Sequence, residues 1–126
     1  MTRLGLVRVT GRSMEPTLRE GDLLLVARGI PPRVGALAVC RLPPDDAGAP
    51  RPLAVKRVTG PDPADPSRWW VERDNPREGV DSWLVGSLSA SDIRAVVLVR
   101  LPRRPRLPWL PRRAGPRGWG RRGGVS

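Results

Sequence analysis

The chain has 126 residues, 39% of them hydrophobic, which gives room for one domain with a modest core. It has no histidine and one cysteine, which excludes Ser-His-Asp and Cys-His catalysis, histidine-ligated metals and an internal disulfide; no metal and no cofactor are expected. The net charge of +11 suggests a nucleic-acid binder, but residues 102–126 hold eight of the 22 arginines and no acid, leaving only +3 on residues 1–101.

Short strand-like runs bounded by Gly, Pro or Asp follow one another along the chain. The first is "LGLVRVT" (4–10); its flanks lack the long apolar core of a secretory signal. Next comes "SMEPTLREGD", which can hold one helical turn, with Pro16 fixing its start and Gly21 ending it. Ser13 opens this stretch, where a stiffened turn can present a hydroxyl and nearby backbone N–H groups to a substrate carbonyl. The runs "DLLLVAR" (22–28) and "ALAVCRL" (36–42) follow, with Cys40 read as a small core residue. "PPDDAGAPRP" (43–52) reads as a loop.

"LAVKRV" (53–58) carries Lys56, the single lysine of the chain. Strand alternation puts Lys56 on one face with Ala54 and Val58, and Leu53, Val55 and Arg57 on the other. Apolar residues on both faces leave open which one is covered. Lysine, unlike arginine, can give up its proton when burial lowers its pKa. A serine hydroxyl needs a base before it becomes a nucleophile, and without histidine the candidates are Lys56 and the chain's own amino terminus.

"GPDPADPS" (60–67) reads as a second loop, followed by "RWWVER" (68–73) and "DIRAVVLVRL" (92–101). No segment of helical length has a 3.6-residue apolar period. Trp69, Trp70 and Trp83 are expected to pack in the core or line a cleft. The expected fold is mostly β: a small domain over 1–101 and a disordered, arginine-, proline- and glycine-rich tail over 102–126. "GWGRRG" (118–123) matches Gly-x-Gly-x-x-Gly but follows no strand and opens no helix, so it does not indicate a nucleotide site. No apolar run approaches the ~20 residues needed to span a bilayer, and a cytoplasmic, soluble protein is expected. Peripheral membrane contact is left to the tail, where Trp109 and Trp119 lie among arginines.

Three stretches in fixed order resemble the boxes of signal peptidase I, a family of Ser/Lys peptidases: "SMEPTLREGDLLLV", "VKRVTG" and "RDNPREGVDSWLVG". The resemblance implies a signal-peptidase-like β-barrel or β-ribbon domain and peptide-bond hydrolysis. It makes Ser13 the nucleophile and Lys56 the general base, with the backbone around Gly11, Arg12 and Ser13 serving the oxyanion. Met14, Pro16 and Thr17 would shape the turn and cleft, and Asp74, Asn75, Asp81 and Ser82 would support the site. Arg73 stands where the family has Gly. Gly79 stands where it commonly has the serine that orients the lysine, and Trp83 replaces an arginine partner of Asp81, which leaves Arg77 or Arg73 to pair with it. Gly11 replaces a common hydroxyl.

Ser13 comes too early for the family's usual membrane anchor. In this the chain resembles the branch of nickel-type superoxide dismutase maturation proteases, which implies a protein substrate with a cleavable leader or propeptide. Two other classes stay open: a self-cleaving repressor of the SOS type, and a non-catalytic module that binds nucleic acid or membrane through its basic tail.

Overall fold

The computed structural model describes residues 2–101 and 124–125. The expected 102–126 tail lies outside the described residues except for the backbone of its residues 124 and 125.

The strands are β1 (Arg3–Val9), β2 (Leu23–Arg28), β3 (Leu37–Cys40), β4 (Ala54–Asp62), β5 (Asp65–Glu72), β6 (Leu88–Ser89), β7 (Ile93–Leu101) and β8 (Gly124–Val125). They form one strongly curled, half-barrel sheet in the order β6-β5-β4-β3-β7-β2-β1-β8, antiparallel except where β8 joins β1 in parallel. The mostly-β expectation therefore holds. Helix α1 (Ser82–Val85) and a 3-10 turn (Ala90–Asp92) interrupt it. Four residues of helix are too few to show an apolar period in sequence.

Curl is what lets this sheet build a site. Three strands separate β1 from β4, so a flat sheet would hold them about 19 Å apart at the usual ~4.8 Å spacing. Register shifts at Leu25/Val26, Val39/Cys40, Val58/Gly60 and Pro61/Asp62 increase the local twist. Two apolar clusters line the two faces. One gathers Met14, Leu18, Leu24, Val39 and Val55; the other gathers Cys40, Ala54, Val58, Val71 and Leu88. Both faces of β4 are thus covered, and Lys56 shares the face of Ala54 and Val58 at 1% exposure. Cys40 is fully buried, as expected of a small core residue.

Three local expectations need correction. The 60–67 "loop" is the end of a hairpin: β4 runs to Asp62 and β5 starts at Asp65, around a tip of Pro63 and Ala64. Bulges beside Gly60 and Pro61 absorb the residues that look like breakers, and the Asp62 carboxylate accepts from Ala64 N–H to close the tip. The turn after Ser13 begins before Pro16, since Leu18 N–H donates to Met14 O at 2.9 Å; Gly21, at φ 91°, does follow it. Trp83 is neither core nor cleft. It is 75% exposed on α1, edge-on to Trp70 at 5.2 Å, with its indole N–H on the Glu72 carboxylate.

Candidate active site

β1 ends at Val9, and Ser13 lies in the turn that follows it. There Lys56 Nζ, arriving from β4, donates to Ser13 Oγ at 2.7 Å. Ser13 is 6% exposed. Both line a cavity of about 340 Å³ whose walls include Gly11, Arg12, Gly79 and Val80 as well as Leu42, Arg51 and Pro52. The sequence placed Ser13, Lys56, Gly11, Arg12 and Gly79 at the site, and they meet there. Leu42, Arg51, Pro52, Glu78 and Val80 are additional: Glu78 and Val80 fall inside the third box with no role assigned there, and Leu42, Arg51 and Pro52 lie outside all three boxes and carry no signal in the sequence.

Burial lowers the Lys56 pKa from 10.5 to about 8. Loss of solvation is the largest cause, and the Arg73 charge adds to it. Cys40 and Asp81 act in the opposite direction. The Cys40 thiol is itself pushed up to about 12 by burial, so near neutral pH it is uncharged and Asp81 is the counter-charge that remains. A neutral amine 2.7 Å from a hydroxyl can take its proton.

The segment after β5 braces the Ser13 turn. Asn75 N–H donates to Ser13 O at 2.8 Å, and Asn75 Nδ2 donates to Arg12 O at 2.8 Å, which pins the peptides on both sides of Ser13. Asp74 takes the Arg57 guanidinium on both oxygens, at 2.9 and 2.7 Å, and accepts from Thr17 Oγ1 as well. Those contacts, led by Arg57, hold its carboxyl below the usual range. Asp74 N–H also donates to Met14 Sδ. Met14 is buried in the core, while Pro16 and Thr17 face outward, so these three shape the turn and do not wall the cavity. Gly11 N–H donates to the Glu20 carboxylate.

Arg73 is the partner that Asp81 requires. Its backbone N–H donates to Asp81 Oδ2 at 3.0 Å and its guanidinium lies 3.9 Å from the same oxygen. The guanidinium also donates to the carbonyls of Gly79 and Pro76, closing the 73–81 loop. Asp81 caps α1 through Trp83 N–H, and Ser82 Oγ accepts from Val71 N–H, tying α1 to β5. Gly79 sits against the pair itself. A Cβ there would lie 2.4 Å from Ser13 Cβ and 3.4 Å from Lys56 Nζ, and its φ of 99° disfavours any side chain. The serine expected by resemblance would not fit without displacing Ser13.

Among the described residues, no helix is long and apolar enough to cross a membrane. No curated protein and no solved structure matches the chain significantly. The family model described as Peptidase S24-like matches residues 2–64, half of the chain, spanning β1, Ser13 and Lys56. The match does not point specifically to signal peptidase I, whose boxes the sequence resembles. With its serine and its buried lysine in hydrogen-bond contact on a curled β scaffold, the chain belongs to the Peptidase S24-like family of Ser/Lys serine-type endopeptidases.

Proposed function

We propose that this domain hydrolyses a peptide bond with Ser13 as nucleophile and Lys56 as general base. The observation that carries the proposal is the 2.7 Å contact between a lysine at 1% exposure and a serine on a cavity wall. Neutral Lys56 accepts the Ser13 proton as Oγ attacks the scissile carbonyl. Ser13 N–H donates to the oxyanion, and the backbone of Gly11 and Arg12 forms the adjoining wall. The lysinium then protonates the departing amine. Water attacks the acyl-Ser13 ester as Lys56 takes its proton, the bond from the carbonyl carbon to Oγ breaks, the lysinium returns the proton to Ser13 Oγ, and the new acid departs. Asp74, Asn75, Asp81 and Ser82 hold the turn and loop in place. Ser13→Ala and Lys56→Arg should each abolish cleavage, read by mass spectrometry on a proteome-derived peptide library. Full activity in Lys56→Arg refutes the base assignment.

The family match favours a self-cleaving substrate arrangement over removal of a leader or propeptide from a separate protein, such as a nickel superoxide dismutase precursor. The two separate by dilution. Cleavage within one polypeptide has a rate constant independent of concentration, whereas cleavage of a separate precursor slows as the enzyme is diluted.

A further inference from the structure

A second cavity, of about 350 Å³, opens beside the first, and Arg51 lines both. Its floor includes Val7 of β1 and Leu53 just before β4; its rim carries Arg28, Arg41, Arg51 and Arg94 and no acid. Four other arginines of the domain are matched with acids, Arg57 with Asp74, Arg73 with Asp81, Arg100 with Asp22 and Arg12 with Glu15, and the remaining ones among the described residues do not converge on a shared cavity. Among the described residues no carboxylate lies in ion-pair reach of the four rim arginines; Arg51 instead donates to the carbonyls of Pro43 and Pro44. Four guanidinium groups around one apolar mouth raise a positive potential that an anionic segment would relieve.

The path of an extended chain into this mouth can be read from β1. Its outer edge holds a strand in parallel: β8 occupies it at Arg8 and Val9, and a substrate strand would take the place of β8. A substrate added in the same sense points its C-terminal end toward Ser13. Its earlier residues then lie beside Val7, six positions before Ser13, where the second cavity opens. The rim therefore faces substrate residues on the N-terminal side of the cut.

We propose that this cavity is an acidic-peptide subsite that selects substrates with Asp or Glu a few residues N-terminal to the scissile bond. The orientation of the segment rests on the Ser13/Lys56 reading; the anion preference of the cavity does not. The arginine-rich stretch 102–126 is then a poor occupant of the mouth.

The test uses the full chain carrying Ser13→Ala, which holds peptide without cutting it. Two fluorescein-labelled alanine/valine dodecapeptides, with three Glu or three Gln near the N-terminal end, are titrated by anisotropy at low salt. The Glu peptide should bind about tenfold tighter, the product of two or three exposed ion pairs each giving a factor of roughly two to five. The preference should vanish in Arg28→Gln/Arg94→Gln and persist in Arg33→Gln, which makes the same change outside the cavity, with circular dichroism showing that all are folded. Equal binding of the two peptides, or a preference that survives the double variant, overturns the subsite. A wild-type protein that fails to cleave while the preference holds refutes the Ser/Lys reading alone. Cleavage with no preference for upstream acids refutes the subsite alone.

Discussion

The single lysine offers a direct measurement of the base. Lysine labelled with carbon-13 at Cε gives one resonance in this chain, from Lys56. At its ordinary pKa of 10.5, roughly one lysine in three thousand would be neutral at pH 7; at about 8, roughly one in ten is. Burial therefore supplies close to a 300-fold gain in competent base, equivalent to about 3 kcal/mol. Activity needs the deprotonated amine, so kcat/KM should rise with unit slope below pH 8 and level off above it, close to a hundredfold higher at pH 9 than at pH 6. The carbon-13 titration should share that midpoint. A midpoint above 10, or a flat rate profile across this range, would refute the reasoning.

Burying the amine also has a stability consequence. Lowering its pKa means that the unfolded chain binds the extra proton between pH 8 and 10.5, so wild-type stability rises with pH through that window. Lys56→Met should therefore be more stable than wild type at pH 7, by about 1–3 kcal/mol in urea unfolding, with the gain gone above pH 10.5. Gly79→Ala should lose most activity and about 1–3 kcal/mol of stability, because its Cβ meets Ser13 Cβ at 2.4 Å on a positive-φ backbone; Gly79→Ser should not rescue it. Asp74→Asn should cost about 1–2 kcal/mol at pH 7 through its paired contacts with Arg57. Because folding lowers the Asp74 pKa, its contribution is complete above the ordinary 3.8, and the gap to the variant should close as pH falls below that. Cys40 should resist Ellman's reagent in the folded protein up to pH 9 and react once urea unfolds it, since its thiol is buried and pushed up to about 12.

Where one residue's surroundings decide its role, the sequence was informative. Valine- and leucine-rich runs between Gly and Pro marked β1, β2, β3 and β7 to within a residue or two at most ends. Two-residue alternation put Lys56 beside Ala54 and Val58, the neighbours that desolvate it. What stayed hidden depends on distant parts of the chain meeting. Pro61 and Pro66 read as breakers because only the pairing of β4 with β5 shows how bulges accommodate them. Trp83 reads as a residue of the core or of a cleft, but α1, capped by Asp81, leaves it exposed. The arginine-rimmed cavity draws on β2, β3, β7 and the segment before β4, so no local window contains it.

Gly79 reverses the meaning of a departure from the resembled pattern. Seen as a sequence position, it is a missing hydroxyl that leaves Lys56 poorly oriented. In the folded chain it is the place where the 73–81 loop passes over Ser13 with no room for a side chain. Arg73, the second departure, holds that passage by donating to the Gly79 carbonyl while its charge partners Asp81. The two changes work as a pair: glycine permits the close approach and arginine fixes it. Lys56 is then oriented by enclosure, with Ser13 Oγ as its hydrogen-bond acceptor at 2.7 Å and Asp81 as a more distant counter-charge. Lysine orientation and lysine desolvation arise from the same contacts, so removing Arg73 should disturb both. Arg73→Ala should lower kcat and move the rate midpoint away from 8, while Arg73→Lys, which keeps the charge but loses the fork onto Gly79 and Pro76, should hold the midpoint better than the rate.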